Sequence, residues 1–280
     1  MDVHGVTLVV GSGIGLEAAL TIAERGAQAV IFANQVLDAA SEASAKSKSL
    51  AMAKDYKTVA IAVDVRDRES VKAMTTKAKE LFGRIDYAVN GAGLPRQTAA
   101  ETSSVDEAEY DLLHDVNARG ILHCLQEEIS AMKDQEPLYV EGRSGHRSIG
   151  PSSIVNVTSL SAVLGTAQSI TYVASKFAAR SIVKCAALEN RSSGLRINKV
   201  CPGFTDTPML RRGIEKQPKI GEIINKSMPL GRVAMPEEIA NVIHFLAGPG
   251  ASFVNGQTLV VDSGVSVSVL TIIHLPYTSG

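Results

Sequence analysis

Val6-Thr7-Leu8-Val9-Val10-Gly11-Ser12-Gly13-Ile14-Gly15-Leu16-Glu17-Ala18-Ala19 is the stretch from which the fold can be read outward. A short apolar, β-branched run enters a glycine-rich turn, and a helix-forming segment leaves it. No polar alternation interrupts Val6–Val10, as expected for a strand covered on both faces. Ala29–Ala33, Thr58–Val63, Ile85–Asn90, Ser153–Thr158, Arg196–Cys201 and Thr258–Val261 read as further strands. Between them, Gly15–Arg25, Leu37–Lys54, Glu69–Phe82, Ala108–Met132, Thr171–Glu189 and Glu237–Ala247 carry helical patterns. This alternation predicts an α/β protein with a doubly wound parallel sheet of about seven strands.

The chain has 280 residues, a length compatible with one continuous α/β domain. We expect that domain to span residues 1–264, with residues 265–280 as a tail. Lys plus Arg number 28 and Asp plus Glu 29, a net charge of −1 that argues against nucleic acid as a partner. With 45% hydrophobic residues, 4% aromatic residues and no Trp, the core must be built mainly from Ala, Val, Ile and Leu. No apolar run approaches the roughly 18 residues of a membrane span, so no membrane partner is expected. The first residues lack a basic segment and a small-residue cleavage site, which argues against secretion. Cys124, Cys185 and Cys201 fall in no CxxC or metal-ligand spacing. Reduced thiols, a cytoplasmic location and no metal are the expectation.

Two segments depart from the alternation. Lys133–Ser152 is rich in Gly, Pro, Ser and charge and reads as a surface loop. Val265–Gly280 is apolar and β-branched, suited to packing on a partner subunit, covering a substrate pocket, or lacking fixed order.

The chemistry-bearing residues lie at the predicted C-terminal strand ends. Gly11, Gly13 and Gly15 sit where a strand turns into a helix, so the backbone can approach a pyrophosphate at the positive helix terminus. Asn90-Gly91-Ala92-Gly93 ends another strand, and its small residues leave room for an adenosine ribose. Asp64 has two readings, an acceptor for the adenine amino group or a helix cap before Arg66–Glu69. Tyr172 and Lys176 share one helix face at i, i+4. A phenol with an ordinary pKa of about 10 is a poor base, and an ammonium one turn away favours the phenolate. Ser159, at a strand end, can hold a carbonyl oxygen while Tyr172 exchanges the proton.

With these residues in view, nearly the whole chain resembles the short-chain dehydrogenase/reductase family, and its fungal members in particular. The matching elements are the glycine turn, Asn90-Gly91-Ala92-Gly93, Asn117 in Val116-Asn117-Ala118-Arg119-Gly120, Ser159, Tyr172–Lys176 and Pro202-Gly203-Phe204-Thr205-Asp206-Thr207. The resemblance implies a Rossmann fold and a catalytic tetrad of Asn117, Ser159, Tyr172 and Lys176. It implies that Asn117 kinks its helix and holds a water linked to Lys176. Lys176 would also bind the nicotinamide ribose, and Pro202–Thr207 would wrap the nicotinamide, with the Thr205 backbone at its carboxamide. The cofactor set so implied is Gly11, Ser12, Gly13, Ile14, Gly15, Asn34, Asp64, Val65, Asn90, Ala92, Gly93, Tyr172, Lys176, Pro202, Gly203, Thr205 and Thr207. A homodimer or homotetramer is also implied.

The expected activity is hydride transfer between a nicotinamide cofactor and a small-molecule ketone or secondary alcohol of specialised metabolism. Two alternatives are a non-redox isomerisation or cyclisation with a weak or structural cofactor, and a cofactor-sensing protein without turnover. The family's TGxxxGxG turn is here two residues shorter and lacks its threonine, which predicts fewer pyrophosphate contacts. Asn34 stands where NAD-preferring members carry an aspartate. Without that carboxylate a 2′-phosphate is not repelled, although no nearby arginine is evident in the sequence, and NADP(H) is expected over NAD(H). Met209–Met228 reads as an apolar lid or as core packing.

Overall fold

The computed structural model describes residues 3–143, 145–216 and 218–268. In chain order the elements are β1 (Val6–Gly11), α1 (Ile14–Glu24), β2 (Ala29–Asn34), α2 (Leu37–Leu50), β3 (Lys57–Ala62), α3 (Arg68–Phe82) and β4 (Tyr87–Gly91). There follow α4 (Glu107–His114), α5 (Gly120–Met132), β5 (Leu138–Gly142), β6 (Gly145–Gly150), β7 (Ser153–Val157) and α6 (Ile170–Glu189). The last are β8 (Arg196–Pro202), α7 (Pro208–Lys216), α8 (Pro218–Ser227), α9 (Pro236–Ala247) and β9 (Thr258–Val261).

Seven strands form one parallel sheet in the order β3-β2-β1-β4-β7-β8-β9. The order reverses between β1 and β4, which opens a crevice at their C-terminal ends, where such sheets receive ligands. Helices cover both faces. Ala18, Ile22, Ala40, Ile239 and Ile243, from α1, α2 and α9, pack on Val9, Val30, Val89, Val155 and Val200. On the other face Val71, Met74, Ile121, Leu125, Ala179 and Val183, from α3, α5 and α6, pack on Leu8, Ile31, Ala88, Ile154 and Ile197. The small alanines let the helices lie close to the sheet, and the β-branched strand residues fill the space between.

Two expectations need correction. Lys133–Ser152 is not a plain loop, because β5 and β6 form an antiparallel hairpin within it, pairing Val140 with Arg147 and Glu141 with His146. The Tyr139 and His146 rings stack at 4.8 Å, and His146 Nδ1 lies 2.6 Å from Glu141 Oε1. A hairpin with little buried surface on either face carries no apolar alternation to betray it. The helix read as Ala108–Met132 is α4 and α5 joined by a π-helical turn, Asp115–Arg119. Asp106 caps α4 by accepting the Ala108 N–H. The Met209–Met228 segment, read as an apolar lid or core packing, holds α7 and α8; Ile224 in α8 and Met228 just after it are buried, as the core-packing reading has it. Of the tail, Val265–Val267 forms a short 3-10 turn and residues 269–280 lie outside the described residues.

Candidate active site

At the end of β1, Gly11 has φ +117° and touches β4 so closely that a Cβ would stand 2.4 Å from the Gly91 carbonyl carbon. Only glycine permits this conformation together with that approach. Gly13, at φ +54°, precedes α1, and the Gly15 N–H donates to the Ser12 carbonyl at 3.0 Å. Ser12, Gly13, Ile14 and Gly15 thus form a short turn directly into the first helical turn, where free N–H groups favour an anion. A Cβ on Gly13 would meet Thr207 at 3.6 Å, so the glycine turn and the Pro202–Thr207 segment face each other. On the β2 side, Asn34 Nδ2 donates to the Gly11 carbonyl at 3.1 Å, and Asn34 Oδ1 accepts the Val36 N–H at 2.9 Å. Asn34 therefore ties the turn to the neighbouring strand, beside a cavity of about 30 Å³ lined by Val9, Leu16, Phe32 and Ala40.

Asp64 follows β3, and its carboxylate accepts from Arg66 Nε at 3.0 and 3.1 Å, from Arg66 Nη2 at 2.5 Å and from Gln35 Nε2 at 3.3 Å. The Arg66 guanidinium holds the Asp64 carboxyl below the usual carboxylate range. The residue that caps α3 is Asp67, which accepts the Glu69 N–H, so the capping reading of Asp64 falls. Arg66 lies near this strand end with its guanidinium paired to Asp64, the carboxylate that Gln35, next to Asn34, also meets. Val65 is buried against Gly120, and its carbonyl lies 2.9 Å from His123 Nδ1.

Asn90 is 2% exposed, and its Nδ2 donates to Glu128 Oε2 at 2.8 Å and to Asn156 Oδ1 at 3.1 Å. Its side chain turns into the protein, which leaves its backbone and the half-buried Ala92 and Gly93 at the strand end. Burial pushes the Glu128 carboxyl up to about 8. Glu128 escaped the sequence reading, although a glutamate on the apolar stripe of Ile121, Cys124 and Leu125 was a legible signal.

Lys176 and Asn117 meet beside Gly93, after β4, Tyr172 lies one turn from Lys176 on α6, and Ser159 follows β7. Lys176 is buried, and its Nζ lies 5.5 Å from the Tyr172 ring centroid. A Cβ on Gly93 would stand 3.1 Å from both Lys176 Nζ and Asn117 Oδ1, so these two groups converge where glycine leaves space. Asn117 sits in the π turn, accepts the Leu94 N–H at 2.8 Å and donates to the Leu94 carbonyl at 3.0 Å. It also donates to Ser175 Oγ at 3.1 Å, a partner from α6 that the sequence reading did not name. Ser159 is half-buried at the end of β7, where its Oγ accepts the Ser161 N–H at 3.1 Å. That bond leaves the hydroxyl proton available as a donor.

Pro202 ends β8, and a Cβ on Gly203 would crowd Asp262 at 3.0 Å. Thr205 is buried and bridges to Ala234, while Thr207 Oγ1 accepts the Leu210 N–H at 3.3 Å at the start of α7. The segment is thereby fixed on both sides of Asp206, which is forked onto Arg211 at 2.7 and 2.8 Å.

A nicotinamide dinucleotide fits these residues. The helix terminus after Gly13, the space beside Gly93 and the buried Lys176 side chain suit a phosphorylated, hydroxyl-bearing ligand. Residues 9–266 match the protein-family model described as enoyl-(acyl carrier protein) reductase. The short-chain dehydrogenase srdC of Neurospora crassa is 38% identical over 96% of this chain and 99% of its own. A cis-4-hydroxycyclohexanecarboxylate dehydrogenase of Sinomonas cyclohexanicum is 33% identical over 92% of this chain and 95% of its own. The crystal structure of a levodione reductase is similar with a TM-score of 0.81 at 28% identity, covering 94% of this chain and 98% of that one. On this sequence, fold and site, the chain belongs to the short-chain dehydrogenase/reductase family of oxidoreductases.

Proposed function

We propose that the protein interconverts a ketone and a secondary alcohol of specialised metabolism, using NADP(H) in preference to NAD(H). The observation that carries this reading is the convergence of Lys176 Nζ and Asn117 Oδ1 beside Gly93, with Tyr172 one helical turn from Lys176. The bound nicotinamide supplies or accepts the hydride. Ser159 donates its hydroxyl hydrogen to the substrate oxygen and fixes its position. Tyr172 gives its phenolic proton to that oxygen in reduction and takes it back in oxidation. The ammonium of Lys176 stabilises the phenolate between those events and offers donors to ribose hydroxyls. Asn117 positions the Leu94 backbone and the helix carrying Ser175, and so keeps the site in register.

The cofactor preference rests on two residues. Asn34 places no negative charge at the end of β2, and Arg66 brings a guanidinium to the neighbouring strand end, where Gln35 also binds Asp64. An arginine is suited to a phosphate monoester through its planar set of donors. Gly11–Gly15, Val65, Asn90, Ala92, Pro202, Gly203, Thr205 and Thr207 complete the dinucleotide cradle in this reading. Residues 1–264 hold both cofactor and substrate sites, with the family's homodimer or homotetramer as the assembly. The unbridged Cys124, Cys185 and Cys201 suit a reducing compartment such as the cytoplasm.

The test is Tyr172→Phe, assayed with NADPH and levodione and, in the other direction, with NADP+ and cis-4-hydroxycyclohexanecarboxylate, the compounds in the names of two relatives. Turnover should fall by at least about 100-fold, the lower end of what general acid catalysis contributes, while NADPH still binds. Wild-type turnover in that variant would move the proton transfer to another group.

A further inference from the structure

The segment after Gly93 is clamped at three places. Leu94 exchanges two hydrogen bonds with Asn117, at 2.8 and 3.0 Å. The Gln97 N–H donates to Glu109 Oε1 at 2.7 Å, and Thr98 Oγ1 donates to Glu109 Oε2 at 2.5 Å. Ala100 bridges to Ser169 at the start of α6. Glu109 is only 7% exposed, so a buried carboxylate is committed to two neutral donors of this loop. Such an arrangement holds the loop backbone in one conformation beside the catalytic residues.

Arg96 lies between the first two clamps. It is half-buried and, among the described residues, makes no hydrogen bond or ion pair. A guanidinium carries five donors, and one held partly out of water without a partner is poised to take an anion. Arg96 is three residues from Gly93, a stretch of at most about 10 Å, and Gly93 adjoins Lys176 Nζ and Asn117 Oδ1. We propose that Arg96 receives a carboxylate on the substrate, so that the preferred substrates are keto acids and the corresponding hydroxy acids.

A phosphate dianion is the poorer match. Arg96 is the sole cation in residues 93–109, which also contain Glu101, Asp106, Glu107 and Glu109. One guanidinium pairs bidentately with one carboxylate, whereas a dianion would meet this acidic surround with a single positive partner. The clamps matter because a receptor fixed in advance loses little freedom when the substrate binds.

This proposal rests on the oxidoreductase reading, and its test separates the two. Wild type, Arg96→Gln and Arg96→Lys are assayed with NADPH against 4-oxocyclohexanecarboxylate and cyclohexanone. The wild type should favour the keto acid in kcat/KM by at least tenfold. That preference should fall at least tenfold in Arg96→Gln, chiefly through KM, with Arg96→Lys between them. In parallel, cyclohexanecarboxylate is titrated calorimetrically into each protein saturated with NADP+, and circular dichroism checks that each variant is folded. The wild type should bind it at least tenfold more tightly than Arg96→Gln. Equal binding, no binding, or an unchanged preference overturns the role of Arg96 while leaving ketone reduction standing. Failure of NADPH to bind the wild type would overturn the oxidoreductase reading and this proposal with it.

Discussion

Replacing Glu128 by Gln should make the protein's stability less sensitive to pH. Glu128 is fully buried between α5 and the sheet, and among the described residues its Oε2 accepts only the Asn90 amide. Its Oε1 has no hydrogen-bond partner among the described residues. Burial raises the carboxyl from an ordinary 4.5 to about 8. Between those values the folded protein holds a proton that the unfolded chain releases, so rising pH favours unfolding. The stabilisation due to the protonated acid is complete below pH 4.5 and gone above pH 8. Each pH unit inside that window is worth about 1.4 kcal/mol, so crossing all of it costs at most about 5 kcal/mol. Gln keeps the shape and the acceptor for Asn90 but cannot ionise. Urea unfolding of both proteins at pH 5, 6, 7 and 8 isolates this group, because every other titration is shared. The stability of Glu128→Gln relative to wild type should climb steadily across the series. A difference that stays flat with pH would show that Glu128 is already ionised in the folded protein, or that water reaches it.

Asn34→Asp should shift nucleotide preference from NADPH towards NADH, measured as the ratio of dissociation constants. It should also cost about 1 kcal/mol in stability, because the Gly11 carbonyl loses its donor. Gly11→Ala forces φ +117° on a side chain and drives its Cβ to 2.4 Å from rigid β4 backbone. Strain of about 1–3 kcal/mol and overpacking of about 1–3 kcal/mol should lower the melting temperature by at least about 5 °C; an unchanged melting temperature would refute that contact.

The sheet was legible because its strands are buried on both faces. Val6–Val10, Ala29–Ala33 and Ser153–Thr158 each fall within a residue of the observed strands, β1, β2 and β7. The β5–β6 hairpin was not, since Tyr139, Glu141 and His146 are exposed and satisfy one another locally. Of the site, Tyr172 and Lys176 announce themselves by sitting one turn apart. Glu109 and Arg66 do not, and Glu128 shows in the sequence only as a glutamate on an apolar stripe, without its partner. Glu109 acts on a loop that precedes it by eleven and twelve residues, and Glu128 meets Asn90 across 38 residues of chain. Arg66 matters through Asp64, which Gln35 reaches from the adjacent strand. Contacts of this kind depend on how the strands are ordered, and no local spacing encodes them. The shortened glycine turn is the converse case. Its length was plain in the sequence, but its fastening through Asn34 to Gly11 required the fold.

Calorimetric titration of the purified protein with NADPH, and separately with NADH, tests the central claim most directly. The account predicts saturable binding of one nucleotide per chain, tighter for NADPH, and retained in Tyr172→Phe. Absence of binding for both nucleotides would contradict it.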